Sequence, residues 1–212
     1  MKKKLFFVSI VCALALAGCG GQEMNLESAK ADLSKFEHQK SDDSMILKSY
    51  DGKSKVLYIQ PEYEVNEKNY TTDLSEFVLD TNKVKFLILG DGIKTINNAV
   101  FNFSDVESVY FPESMEVVYD ATLNYLHPDE DEKIQIYYGG TEEEWNSIFT
   151  KYQRQTAKEA LDSSDDPYEQ GAALGASIAD KLNSMMGSYS ASDFEYHYSV
   201  SESDLEDIIK NY

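Results

Sequence analysis

The sequence predicts an α+β protein: a short β-solenoid of about two to three turns, an N-terminal capping hairpin and a mainly helical C-terminal region. Three observations lead there. Apolar residues recur at a fixed offset of 22 positions between Leu74 and Leu123. Leu74, Leu79, Val84, Leu87, Leu89 and Ile93 slide onto Ile96, Phe101, Val106, Val109, Phe111 and Met115, and a second slide carries Ile96 onto Val118 and Phe101 onto Leu123. Units repeating every ~20–29 residues cannot bury an apolar face alone and must stack on their neighbours. Next, Asp51-Gly52 between two apolar runs is a hairpin signal. Finally, apolar positions after Trp145 take up helical spacing.

The N-terminus is read as a processing signal. Lys2, Lys3 and Lys4 precede an apolar run, Leu5–Leu16, of signal-peptide length and too short for a stable membrane span. The run ends in Leu16-Ala17-Gly18-Cys19, which resembles the lipobox of bacterial lipoproteins. The resemblance implies cleavage before Cys19 and a diacylglycerol on its sulfur, giving a signal peptide at 1–18 and a lipidated tether with a short helix at 19–44. Multiple acyl chains would hold the chain at a membrane far better than one. Cys12 would leave with the signal, so the mature chain has neither free thiol nor disulfide, and its stability rests on a core. Losing Lys2–Lys4 leaves 16 basic against 38 acidic residues, a formal charge of −22. Such a surface repels nucleic acid, and no basic patch offsets it.

Residues 45–149 are read as the repeat domain with its caps. Met45–Tyr50 and Lys55–Ile59 are expected to pair about Asp51-Gly52 and cover the open end of the first repeat. Gln60-Pro61 ends the second strand, and 63–72 is expected to be polar loop. Alternation assigns faces within each repeat. Val84, Leu87, Leu89, Val106, Val109 and Phe111 point inward; Phe86, Ile88, Ser108, Tyr110, Gln135 and Tyr137 point outward. Phe86, Ile88, Tyr110 and Tyr137 thus form an apolar and aromatic column, the candidate protein-binding face if it is open. If the C-terminal segment lies on it, the column is core. Thr141-Glu142-Glu143-Glu144 is a capping box that starts a helix, with Trp145 in the core.

These repeats resemble the bacterial BspA-type leucine-rich repeat. Asn98-Ala99-Val100-Phe101, Val106-x-x-Val109-x-Phe111 and Pro112-Glu113-Ser114-Met115 follow that family's unit, and Tyr137-Tyr138-Gly139-Gly140-Thr141…Trp145 is similar to its frequent terminal unit. The likeness covers about residues 74–148 and departs at an acidic insertion, His127–Glu132. It implies protein–protein interaction or adhesion at a cell surface.

Residues 150–212 match no family pattern and are read as a C-terminal helical region. The helix that starts at the Thr141 cap is expected to continue through 151–161 and stop at 162–167, a second to run over 168–186, and Phe194, Tyr196, Tyr198 and Val200 to alternate as a strand. Ser203-x-x-Glu206 is expected to cap a last helix with Leu205, Ile208, Ile209 and Tyr212 on one side.

Catalysis draws no support from the motifs. His38, His127 and His197 have no metal spacing, and there is neither a nucleophile elbow nor a phosphate loop. No metal, cofactor or nucleic-acid partner is expected. The expectation is therefore a non-enzymatic, membrane-anchored lipoprotein, extracytoplasmic, on the outer face of a Gram-positive membrane. Its partner would be a host or envelope protein. The alternative is a structural or accessory lipoprotein whose repeat scaffolds the C-terminal region.

Overall fold

A parallel sheet whose strand order follows the chain organises the molecule. The computed structural model describes residues 25–79, 83–101, 104–126, 132–150 and 193–212. The chain enters through α1 (Leu26–Ala29), capped by Asn25, and a single 3-10 turn at Leu33–Lys35. Strands β1 (Phe36–Ser41), β2 (Ser44–Tyr50), β3 (Val56–Ile59), β4 (Glu62–Val65) and β5 (Lys68–Asp73) follow. The repeats contribute β6 (Phe86–Leu89), β7 (Ser108–Phe111), β8 (Val118–Tyr119), α2 (Asp120–Leu123) and β9 (Ile134–Tyr138). The terminal elements are α3 (Glu142–Ile148), β10 (Phe149–Thr150), β11 (Phe194–His197) and α4 (Glu202–Ile208), which runs into a 3-10 turn at Ile209–Asn211.

The larger sheet has the order β11-β9-β7-β6-β3, with every pair parallel. Its register reproduces the sequence offset. Phe86 lies opposite Ser108, Leu87 opposite Val109 and Ile88 opposite Tyr110, each 22 positions on. The connections repeat too. The Ser114 hydroxyl accepts from Gly92 N at 2.7 Å and donates to Ile93 O at 3.1 Å, so the turn of one unit is tied to that of the next. Gly92 takes φ +105°, a backbone region that disfavours any side chain, which accounts for a glycine there. Lys85–Glu107 and Lys94–Glu116 form ion pairs at 2.7 and 2.8 Å across the same interval, exposed enough to add little.

Parallel strands buried on both faces read as continuous apolar runs, and β3, β6 and β7 are buried throughout. The sheet thereby separates two cores. Val84, Leu87, Leu89, Val106, Val109 and Phe111 all lie in the larger one, on the side expected, together with Trp145. The smaller core sits on the outer face and joins Val56, Tyr58, Phe86, Ile88 and Tyr110 to Leu26 and Leu205.

The N-terminal third pairs differently from expectation. β2 does not form a hairpin with β3. It pairs antiparallel with β1 through Asp42-Asp43, where Asp42 adopts φ 47°, and it runs parallel to β5. β3 instead joins β6 in the large sheet. Asp tolerates the left-handed conformation, so a two-residue Asp-Asp turn closes tightly, whereas Asp51–Lys55 is a connection between two sheets. Residues 36–41, expected within the tether, are therefore a strand of the body. The expected loop at 63–72 is a second hairpin, β4 on β5, closed by Asn66 and Glu67 at φ 55° and 64°. Two consecutive positive φ values make the mirror-image turn whose twist suits a hairpin. The result is a four-stranded sheet, β1-β2-β5-β4.

The α3 capping box forms as expected: the Thr141 hydroxyl accepts from Glu144 N, and the Glu144 carboxylate accepts from Thr141 N at 2.7 Å. The last helix is capped two residues earlier than expected. Ser201 is the N-cap with Asp204 as its reciprocal partner, because the chain turns at Ser199 (φ 55°) and frees Ser201 first. The helix capped at Thr141, expected to continue through 151–161, instead ends at Ile148, where β10 pairs in parallel with β8. The expected lipid site Cys19, the acidic loop at 127–131 and the helix expected over 168–186 lie outside the described residues.

Candidate functional site: the outer face of the parallel sheet

The four residues of the candidate face are brought together and covered. Parallel register stacks Ile88, Tyr110 and Tyr137 along one line of the sheet, with Phe86 one pleat away. Phe86 and Ile88 are fully buried, Tyr110 is buried and Tyr137 half-buried. Of the two arrangements left open for this column, an open face or one covered by the C-terminal segment, the structure has the second. α4 and the turn after it carry Leu205, Ile208, Ile209 and Tyr212 on one side, and this stripe seats on the column. Leu205 is 1 % exposed and Ile209 0 %. Helix spacing at i, i+3, i+4 and i+7 makes such a stripe, and a flat apolar sheet face is what it fits.

The aromatic contacts give the seat its geometry. The Tyr212 and Tyr137 rings lie 5.3 and 5.6 Å from the Phe86 ring, both tilted. The Tyr212 hydroxyl bonds the buried Ser108 hydroxyl, so a polar outward position of the sheet finds its partner on the covering segment. The His197 ring stacks on Tyr137 at 4.7 Å, and its Nε2 lies 2.8 Å from Gln135 Oε1. His197 is thus a sheet residue in a cross-strand contact. His38 lies exposed on β1.

α1 completes the cover from the N-terminal side. Leu26 and Ala29 are buried, and Leu26 N donates to Glu206 Oε1 of α4 at 3.4 Å. Lys30 bridges Tyr58 of β3, and its ammonium sits 5.8 Å above that ring. The two ends of the described chain therefore meet on one face, a contact that no local sequence signal announced.

The electrostatics suit a packed seam. Burial, followed by nearby Asp91, pushes the Tyr110 phenol up to about 12. Burial, followed by Tyr212, does the same to Tyr137. Tyr58 and Tyr212 are raised for the same first reason. Neutral phenols at ordinary pH add no charge to the seam. Gly139 lets the sheet end close around Tyr110: a Cβ there would stand 2.8 Å from the Tyr110 hydroxyl and 3.0 Å from Glu113 N.

Among the described residues no group of three His, Cys, Asp or Glu side chains is placed to hold a metal. No helix among them is long and apolar enough to cross a membrane. What the arrangement does chemically is hold an amphipathic segment by apolar contact, helped by the Ser108–Tyr212 hydroxyl pair and the Leu26 N–Glu206 bond. Comparison with known proteins gives no matching family model, no matching curated protein and no matching solved structure.

Proposed function

We propose that this chain is an extracytoplasmic lipoprotein, anchored through lipid on Cys19, with a short BspA-type leucine-rich-repeat solenoid as a non-catalytic scaffold. In this reading the repeat sheet holds the chain's own C-terminal segment. The observation that carries it is the seating of α4 on Phe86, Ile88 and Tyr110, the face a free repeat module would offer to a ligand. The parallel register at 22 residues supports the stacked-repeat part. The anchor rests on the Leu16-Ala17-Gly18-Cys19 motif.

Binding of a host or envelope protein is the second reading, and a different surface favours it. β11 ends the large sheet, and among the described residues its strand partner is β9 alone. Phe194, Tyr196 and Tyr198 along it are half-buried, with Tyr196 packed 5.8 Å from Trp145. Partly open aromatics at a sheet end are what interface hot spots are built from.

Hydrogen exchange on the unlipidated mature chain separates the two. The scaffold reading expects amides of β6, β7 and α4 to exchange at one slow, cooperative rate in the isolated protein. Fast exchange confined to α4, with a stable sheet beneath, would overturn it, and slowing of the β11 amides only when an extract of host or envelope proteins is added would support the binding reading. Lipid attachment is read by the mass of the intact exported chain, which a Cys19→Ser change should reduce by the acyl groups.

A further inference from the structure

We infer that the outer face carrying α1 and α4 is the membrane-facing side of the domain, so that the four-stranded sheet and the α2 side point away from the bilayer. This rests on the proposed lipid at Cys19. Six residue steps separate Cys19 from Asn25, the first described residue, and an extended chain spans at most ~20 Å over that distance. From Leu26 on, the chain is held against the outer face. Leu26 and Ala29 are buried in the outer-face core, Ala31 N donates to Tyr58 O at 3.0 Å, and Leu26 N reaches Glu206. The anchor point is therefore fixed to one face of the sheet, and the tether is short beside a domain several packing layers thick.

Charge keeps the body off the surface, and the attachment point orients it. The exposed positions of this face include Glu27, Glu202, Asp204 and Asp207 against Lys30 and Lys210, and the mature chain carries −22 overall. An anionic bilayer repels such a body at any orientation. Repulsion therefore does not choose an orientation; the short connection does, because at most ~20 Å separates the lipid from the face on which Leu26 and Ala29 are buried. Screening limits the repulsion to about a Debye length, ~8 Å at physiological ionic strength, so it keeps the body off the headgroups without setting its orientation. Across the sheet, Met45, Leu47, Leu74, Phe77 and Leu123 lie in the other core. Residues outside that core stand about two layers, ~20 Å, further from the membrane.

The test uses the full lipidated chain in vesicles containing phosphatidylglycerol and a headgroup-linked nitroxide quencher. Cys12 leaves with the signal and Cys19 is acylated, so one introduced cysteine is a unique labelling site. Glu27→Cys and Glu202→Cys place a fluorophore on the α1/α4 face; Glu76→Cys and Asn124→Cys place it across the sheet. All four positions are exposed, so the fold tolerates them. The expected result is several-fold stronger quenching of the first pair. Equal or reversed quenching on a chain whose mass shows the lipid would overturn the orientation and leave the lipoprotein reading standing. Absence of lipid from the exported chain would overturn the Cys19 reading and this inference with it.

Discussion

Leu205→Ala tests whether the C-terminal helix belongs to the core or merely rests on it. Leu205 is 1 % exposed and packs in the outer-face core with Phe86, Ile88 and Tyr110. Truncation to Ala removes three carbons from that contact, ~2.4 kcal/mol at about 0.8 kcal/mol per buried methylene. The cavity left behind adds to this, for a total of roughly 3–4 kcal/mol within the usual range for buried leucines. Ala is the better helix former by only a few tenths of a kcal/mol, so propensity does not offset the loss. Against a typical domain stability of about 5–15 kcal/mol this is a large share. Urea denaturation followed by circular dichroism should show the midpoint fall by roughly 1–2 M, given a slope near 2 kcal/mol/M. Dye binding to exposed apolar surface should stay low in native buffer, because the whole fold and not the helix alone carries the loss. A midpoint shift worth under about 0.5 kcal/mol, the level of ordinary surface changes, would refute the reasoning and make α4 a peripheral, detachable segment.

Three further outcomes follow from the same seam. Tyr212→Phe leaves the buried Ser108 hydroxyl unpaired and should cost about 1–3 kcal/mol, while adding Ser108→Ala should recover much of it; additive losses in the double-mutant cycle would mean the two hydroxyls are not coupled. Gly139→Ala drives a Cβ against the Tyr110 hydroxyl and Glu113 N, and should destabilise by about 1–3 kcal/mol as overpacking, read as a lowered melting temperature; an unchanged value would show that the sheet end can open without cost. Tyr110 and Tyr137 titrate near 12 in the folded chain, above the ordinary ~10 of an unfolded tyrosine, so their contribution to stability is complete below about pH 10 and is lost as pH rises through 12. Tyrosinate absorbance and circular dichroism should therefore change together in that window. Full ionisation near pH 10 with the fold intact would contradict the burial of the seam.

The repeat was legible in the sequence for a physical reason. Stacked parallel strands place equivalent residues side by side, so an offset of 22 in apolar spacing is the same quantity as the register that sets Phe86 beside Ser108. Alternation likewise sorted Leu87 and Leu89 from Phe86 and Ile88, because side chains of a strand point to opposite faces in turn. The Thr141–Glu144 cap was legible because both of its partners lie within one helical turn. These signals are local or strictly periodic, and they by themselves determined the faces, the repeat spacing and the α3 start.

Tertiary structure decided the rest, wherever the deciding contact is remote. Asp51-Gly52 is a good turn signal, yet β2 lies against β1 and β3 against β6, because each strand pairs where its apolar side chains find a core. Period-2 alternation can say that Ile88 and Tyr110 share a face. It carries no information about whether water or another segment covers that face. Here α4 does so from more than 90 positions downstream, joined at its end by α1 from the opposite terminus. The sequence marked an apolar column and an apolar helical stripe as separate facts; only the folded chain showed that each is the other's partner, since burial is a property of the pair.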